Sequence, residues 1–122
     1  MAAEARARRD AFFAAIGKTP LIMGILNLTP DSFSDGGRFQ SPELALAHAR
    51  RMVEDGCAIV DVGAESTRPE ATPVTERQEV ARLAPALERI IDGLGVAVSI
   101  DTTKAIVAAL ACRLGAVIVN DV

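Results

Sequence analysis

Four carboxamide or carboxylate side chains stand at the ends of four short apolar runs in the sequence. They are Asn27, Asp61, Asp101 and Asn120, and Asp121 follows directly after the last. A carboxylate can accept two parallel hydrogen bonds from neighbouring donors on a flat ring, and a carboxamide can both donate and accept. These residue types therefore suit a nitrogen heterocycle such as an aminopyrimidinone. The alternative is that each of them simply begins a loop or caps a helix.

The segment after the second apolar run carries groups that suit an anion. Ser66 and Thr67 provide hydroxyl donors, Arg68 provides a planar guanidinium, and Pro69 follows them. This combination favours a diphosphate or a carboxylate as ligand. A solvent-exposed arginine in an ordinary loop is the alternative interpretation.

A longer polar segment, residues 27–37, has the composition of a lid. It contains the pair Gly36 and Gly37, one aromatic residue, Phe33, and two carboxylates. Paired glycines give a loop the hinge freedom that closure over a site requires. Phe33 could instead have a structural role and pack the loop against the rest of the fold.

Hydrophobic periodicity predicts that strands and helices alternate along the chain. The apolar runs are continuous, as expected for strands buried on both faces of a parallel sheet. Strands are predicted at residues 21–26, 58–63, 96–100 and 116–119. Helices are predicted at residues 3–16, 42–55, 75–94 and 103–114. The opening helix is expected to cover one end of the fold.

Capping residues predict where three of these helices begin. They are Ser41 with Pro42 behind it, Thr75 with Gln78 three residues later, and either Thr102 or Thr103. Pro85 lies inside the third helix, where it removes a backbone hydrogen bond. We therefore expect a kink there or a boundary between two helical pieces.

The alternation demands parallel strands joined by crossovers, so the fold class is α/β. A doubly wound open sheet and a closed barrel are the two candidates. In either of them the carboxyl ends of the strands share one edge, which would bring the four polar side chains together. We divide the chain into an N-terminal helical extension, residues 1–19, and an α/β part, residues 20–122.

Composition narrows the class of protein. The 122 residues suffice for one hydrophobic core, and 13 basic against 16 acidic residues give a net charge of −3. Such a small bias argues against a surface for nucleic acid. The first residues carry no continuous apolar run, so neither a signal peptide nor a membrane anchor is expected, and the predicted location is the cytoplasm.

Three residues that often do chemistry are given structural interpretations. Cys57 and Cys112 match no redox or metal-binding spacing and are predicted to be small buried hydrophobes. His48 lies in a helix without acidic or cysteine partners at ligand spacing, so a surface position is expected.

The motifs together resemble those of the dihydropteroate synthase family. MGILNLTPDSFSDGG, residues 23–37, is similar to the first signature of that family, and DVGAESTRP, residues 61–69, is similar to the second. SIDT at residues 99–102 and VND at residues 119–121 match the third and fourth strand ends in type and order. The first signature is long enough to be specific, and the resemblance covers about residues 20–122, which is nearly the whole chain.

The resemblance implies a TIM (β/α)8 barrel, of which this chain carries the first four strands. It implies that (7,8-dihydropterin-6-yl)methyl diphosphate is condensed with 4-aminobenzoate to give 7,8-dihydropteroate and diphosphate. Asp101 and Arg68 would be catalytic: the first would stabilise positive charge through the pterin ring, and the second would assist departure of diphosphate. A homodimer is implied for the full-length family.

The resemblance also implies the binding roles of the remaining site residues. Asn27 would contact a Mg²⁺ ion that holds the diphosphate. The pterin ring would be bound by Asp101 and Asn120 with Asp61 nearby. Ser66, Thr67 and Arg68 would meet the aminobenzoate and the diphosphate, and Phe33 and Pro69 would wall the aminobenzoate pocket.

Two positions and the length depart from the family pattern. Ala64 and Glu70 stand where the family usually has glycine, and Glu70 adds negative charge beside Arg68, which should weaken diphosphate binding. A TIM barrel needs about 250 residues, and the family's later site residues have no counterpart here. We expect no turnover by the 122-residue chain alone. The alternatives are a methyltetrahydrofolate-binding corrinoid methyltransferase and a non-catalytic half-barrel that pairs with itself or with a complementing chain.

Overall fold

The computed structural model describes residues 2–28, 41–64 and 75–121. Within these ranges there are four helices: α1 (Ala3–Ala15), α2 (Pro42–Glu54), α3 (Glu76–Gly93) and α4 (Ala105–Leu114). The same residues form four strands that alternate with the helices: β1 (Met23–Asn27), β2 (Ile59–Gly63), β3 (Ala97–Asp101) and β4 (Ile118–Asn120). The predicted alternation is confirmed, and the strand bounds differ from the predicted ones by at most two residues. No helix among the described residues is both long and apolar enough to span a membrane.

The strands form one parallel sheet in the order β1-β2-β3-β4. A doubly wound sheet reverses its strand order partway, whereas a barrel adds each new strand beside the last. The sequential order therefore favours the barrel over the open sheet. Helices α2, α3 and α4 pack side by side, with α3 between the other two.

Alternate strand residues face the helices and form the core. Leu26 of β1, Val62 of β2 and Ile100 of β3 are in register with one another and at most 1% exposed. They pack against apolar residues of the three helices, such as Leu87 and Val107. The opposite face, which we call the inner face, carries the polar strand residues.

Helix α3 begins at a capping box and is continuous to its end. The Thr75 hydroxyl accepts a hydrogen bond from Gln78 N (3.1 Å), and Gln78 Oε1 accepts one from Thr75 N (3.1 Å), which completes the predicted capping box. Ser41 caps α2 in the same way, through a 3.2 Å bond from Leu44 N to its hydroxyl. Pro85 lies within the single helix α3, which excludes the second of the two predicted alternatives, a boundary between two helical pieces, and leaves the kink as a prediction.

The predicted cap of α4 is also wrong. Its N-cap residue is Lys104, which makes no capping bond with its side chain. Thr103 is exposed, and the Thr102 hydroxyl is held by partners outside α4. Because Thr102 lies on the helix-facing side of β3, it is drawn into the packing between α3 and α4.

Helix α1 lies near the amino ends of the strands. Ala5 is buried, and Arg8 Nη1 donates a 2.7 Å hydrogen bond to Ile91 O at the end of α3. Ile16, directly after the helix, is 52% exposed. Between α1 and the strand ends lies an apolar cavity of about 220 Å³, lined among others by Phe12 and Val96.

The cysteine prediction holds only in part. Cys57 and Cys112 are unpaired thiols, and each is partly exposed rather than fully buried. His48 is exposed, as predicted.

Candidate functional site

A row of polar residues crosses the inner face at the carboxyl ends of the strands. Asn27 is in register with Gly63, Gly63 with Asp101, and Asp101 with Asn120. Neighbouring parallel strands lie about 4.8 Å apart, so one flat ring can touch side chains of adjacent strands. The predicted convergence of Asn27, Asp101 and Asn120 is confirmed, and we call these three residues with Gly63 the polar row.

Asp61 lies on β2 two residues before Gly63, the member of the polar row on that strand. It is the third residue of β2, in register with Ile25 and Ser99, so it does not end its strand as expected. Gly63 ends the strand instead. The Asp61 side chain is on the same face as the polar row because side chains alternate along a strand.

The Asp61 carboxylate is buried and holds two neighbours. It is 2% exposed, and its Oδ1 accepts from Ser99 Oγ (2.5 Å) while its Oδ2 accepts from Asn120 Nδ2 (3.1 Å). A carboxylate has no donor, so the amide group of Asn120 must turn its NH₂ toward Asp61. Its Oδ1 is then the atom that Asn120 offers to the donors of a ligand.

Asp101 occupies space that Gly63 leaves open. A Cβ placed on Gly63 would lie 3.2 Å from Asp101 Cβ and 3.3 Å from its Oδ2. Both distances are tighter than ordinary van der Waals contact. The absence of a side chain at Gly63 therefore gives room for the Asp101 carboxylate, which is partly exposed beside Asn120.

A buried glutamate lies behind the polar row, and the sequence interpretation missed it. Glu79 of α3 has 0% exposure; its Oε2 accepts from Thr102 Oγ1 (2.5 Å) and its Oε1 pairs with Lys104 Nζ (2.8 Å). In sequence, Glu79 is one of two acids at the start of an amphipathic helix. The one available signal was its position beside Val80 and one turn before Leu83, on the edge of the apolar stripe.

The end of β2 is tied to α3 by an arginine. Arg82 Nη1 donates a 3.1 Å hydrogen bond to Ala64 O. The Ala64 methyl belongs to the helix-side core and is 0% exposed. Its departure from the glycine usual in the family is therefore accommodated away from the inner face.

The remaining predicted site residues lie outside the described residues. They are Phe33, Ser66, Thr67, Arg68 and Pro69, together with Glu70. Within residues 2–28, 41–64 and 75–121, no three acidic, histidine or cysteine side chains gather in a way that could hold a metal ion.

Comparison with known proteins identifies relatives of the whole α/β part. The profile of the pterin binding enzyme family matches residues 23–122. The dihydropteroate synthase of Bacillus subtilis is 55% identical over 102 residues, which are 84% of this chain and 36% of that protein. This chain therefore spans little more than a third of that relative's length.

Solved structures give the same result. The dihydropteroate synthase of Clostridium difficile, determined with pteroic acid, matches with a TM-score of 0.81 and 49% identity over 87% of this chain and 40% of that one. The Xanthomonas albilineans dihydropteroate synthase with 4-aminobenzoic acid matches with a TM-score of 0.78 and 46% identity, covering 84% and 38%. The four strands and their helices thus correspond to part of a TIM barrel.

Proposed function

Because the chain belongs to the pterin binding enzyme family, we propose that it provides the pterin-binding part of a dihydropteroate synthase. The reaction would condense (7,8-dihydropterin-6-yl)methyl diphosphate with 4-aminobenzoate. The observation that carries the proposal is the pair Asp101 and Asn120, adjacent in the polar row, with the Asn120 amide oriented by Asp61.

This pair fits the hydrogen-bonding edge of a pterin. The ring carries an amino group beside a ring N–H, and a carboxylate can accept from both in parallel. Asp101 would accept this donor pair, and Asn120 Oδ1 would accept from a further N–H. Asp101 would also stabilise positive charge that develops on the ring and its methylene as diphosphate departs. The amine of 4-aminobenzoate then attacks the methylene carbon, the C–O bond to diphosphate breaks, and the amine loses a proton.

Asn27 fits a magnesium ion that is held mainly by phosphate and water oxygens. Its side chain lies at the β1 end of the polar row, partly exposed on the inner face. A carboxamide oxygen is a hard ligand, and Mg²⁺ typically takes only one or two ligands from a protein at a phosphate site. When bound, the ion would neutralise charge on the leaving diphosphate. We therefore include Mg²⁺ binding by Asn27 in the proposal.

The roles of the two loop segments also belong to the proposal. Ser66, Thr67 and Arg68 would bind the diphosphate and the aminobenzoate carboxylate, while Phe33 and Pro69 would wall the aminobenzoate. The cytoplasmic location, a homodimer in the full-length family and the lack of turnover by 122 residues alone stay predictions. So does the division of the chain at residue 20.

Calorimetric titration of the 122-residue chain with pteroic acid tests the proposal. We expect the wild-type chain to bind, and Asp101→Asn to bind roughly 10- to 100-fold more weakly, because an amide turns a donor toward the ring where two acceptors are needed; hydrogen bonds to charged groups contribute about 1.5–3 kcal/mol. Asp92→Asn, an exposed position on α3, is the matched control. Preference for methyltetrahydrofolate over pteroic acid would instead support a corrinoid methyltransferase.

A further inference from the structure

The buried glutamate of α3 is joined to the polar row through a single threonine. Thr102 follows Asp101 directly and is 5% exposed. Its hydroxyl donates to Glu79 Oε2 and accepts a 3.1 Å bond from Lys104 N, while its backbone N–H donates a 3.2 Å bond to Asn120 O. Thr102 therefore connects the ends of β3 and β4, which carry Asp101 and Asn120.

Only a carboxylate satisfies both of the partners of Glu79. A hydroxyl has one proton, and because Thr102 already accepts from Lys104 N, that proton needs an acceptor. The Lys104 ammonium has only donors and takes the second carboxylate oxygen, at 2.8 Å. Glutamine would satisfy one of these partners and turn an NH₂ group toward the other.

The alternative is a purely structural role, in which Glu79 and Lys104 only stabilise the contact between α3 and α4. Such a buried ion pair often gives no more stability than apolar residues of similar size. The bond from Thr102 to Glu79 indicates a different role for the ion pair, because Thr102 lies in the backbone segment between Asp101 and α4.

We propose that Glu79 is a positioning residue of the pterin site, which acts through Thr102 and Lys104 to fix the strand ends that carry Asp101 and Asn120. The inference rests on the proposed function. Glu79 itself lies on the helix side of the sheet, where it bonds Thr102 and Lys104, and would not contact the ligand. Its contribution is that Asp101 and Asn120 are already placed for the ring before the ring binds, which lowers the ordering cost of binding.

Five variants separate positioning from stability. Glu79→Gln replaces one of the two acceptor oxygens with an NH₂ donor, and Thr102→Val removes the hydroxyl. Thr102→Ser keeps the hydroxyl. Val107→Ala weakens the core at α4 from a residue that is 1% exposed and takes no part in the Thr102 and Glu79 hydrogen bonds. Glu88→Gln, on the exposed face of α3, controls for the change of charge.

Two measurements are made on each folded variant: pteroic acid affinity by calorimetry and backbone amide hydrogen exchange by NMR. We expect Glu79→Gln and Thr102→Val to weaken pteroic acid binding at least about tenfold and to speed exchange at the amides of Thr102 and Lys104. Thr102→Ser should recover most of the affinity that Thr102→Val loses. Val107→Ala should lower the melting temperature without a matching loss of affinity, and Glu88→Gln should change neither.

The two possible failures differ from each other. If the wild-type chain binds no pteroic acid, the proposed function fails and the inference fails with it. If the wild-type chain binds, the positioning role is overturned by either of two results: Glu79→Gln binds as well as the wild type, or Val107→Ala loses as much affinity as Glu79→Gln for the same drop in melting temperature. The proposed function then still stands.

Discussion

The Asp61 carboxylate sets which atom Asn120 can offer to a ligand. It receives hydrogen bonds from both Ser99 Oγ and Asn120 Nδ2, and it is 2% exposed, so no water competes freely for its oxygens. In the proposed site, Asp61 would thus support the Asn120 amide that faces the pterin. The hydroxyl of Ser99, adjacent to it in the sheet, fixes the carboxylate from the other side.

Asp61→Asn should lower pteroic acid affinity by about tenfold or more. One of the two donors now meets an NH₂ group, so either Ser99 loses its acceptor or the Asn120 amide turns over and presents NH₂ to the ring. Leaving a buried donor unsatisfied also costs about 1–3 kcal/mol of stability. Calorimetry gives the affinity and urea unfolding gives the stability. An affinity equal to that of the wild-type chain would contradict the role assigned to Asp61.

Helix α3 is the element that organises the site from behind. It lies between α2 and α4, and its first turns carry Glu79, which reaches the end of β3, and Arg82, which reaches the end of β2. These two side chains are three residues apart, which places them on one face of a helix. The start of α3 therefore fixes where both contacts are made.

Thr75→Ala should destabilise the fold by about 1 kcal/mol, the usual cost of losing a hydroxyl cap. The capping box through Gln78 disappears with it. Urea unfolding followed by circular dichroism measures the change, with the slope of the transition unchanged. Thr75→Ser keeps the hydroxyl and should remain within a few tenths of a kcal/mol of the wild type. Equal losses in both variants would show that the hydroxyl is not what stabilises this end.

The elements were more predictable from sequence than the contacts between them. Ser41 and Thr75 signal helix starts through local bonds, and local bonds leave local patterns. Thr102 has the same residue type before a helix, yet its hydroxyl is bound to Glu79, 23 positions away in sequence. Asp61 was placed at a strand end because the register of β2 with its neighbours cannot be read from one strand alone.

At the scale of the whole molecule, the two ends of the sheet offer different surfaces to a ligand. The carboxyl ends carry the polar row, whereas the amino ends and α1 enclose the apolar cavity of about 220 Å³. An aromatic compound such as pteroic acid could enter the cavity by apolar contact alone. Family membership and the orientation of Asn120 favour the polar row, because it offers carboxylate and amide acceptors to the donors of the ring, whereas the lining of the cavity is largely apolar.

NMR titration of the isotopically labelled chain with pteroic acid distinguishes these surfaces most directly. The account predicts that the largest shifts in amide resonances fall on the polar row, at Gly63, Asp101 and Asn120, and that Asp101→Asn abolishes them at the same ligand concentration. Shifts concentrated instead around Phe12 and Val96, and unchanged by Asp101→Asn, would contradict the assignment of the polar row as the pterin site.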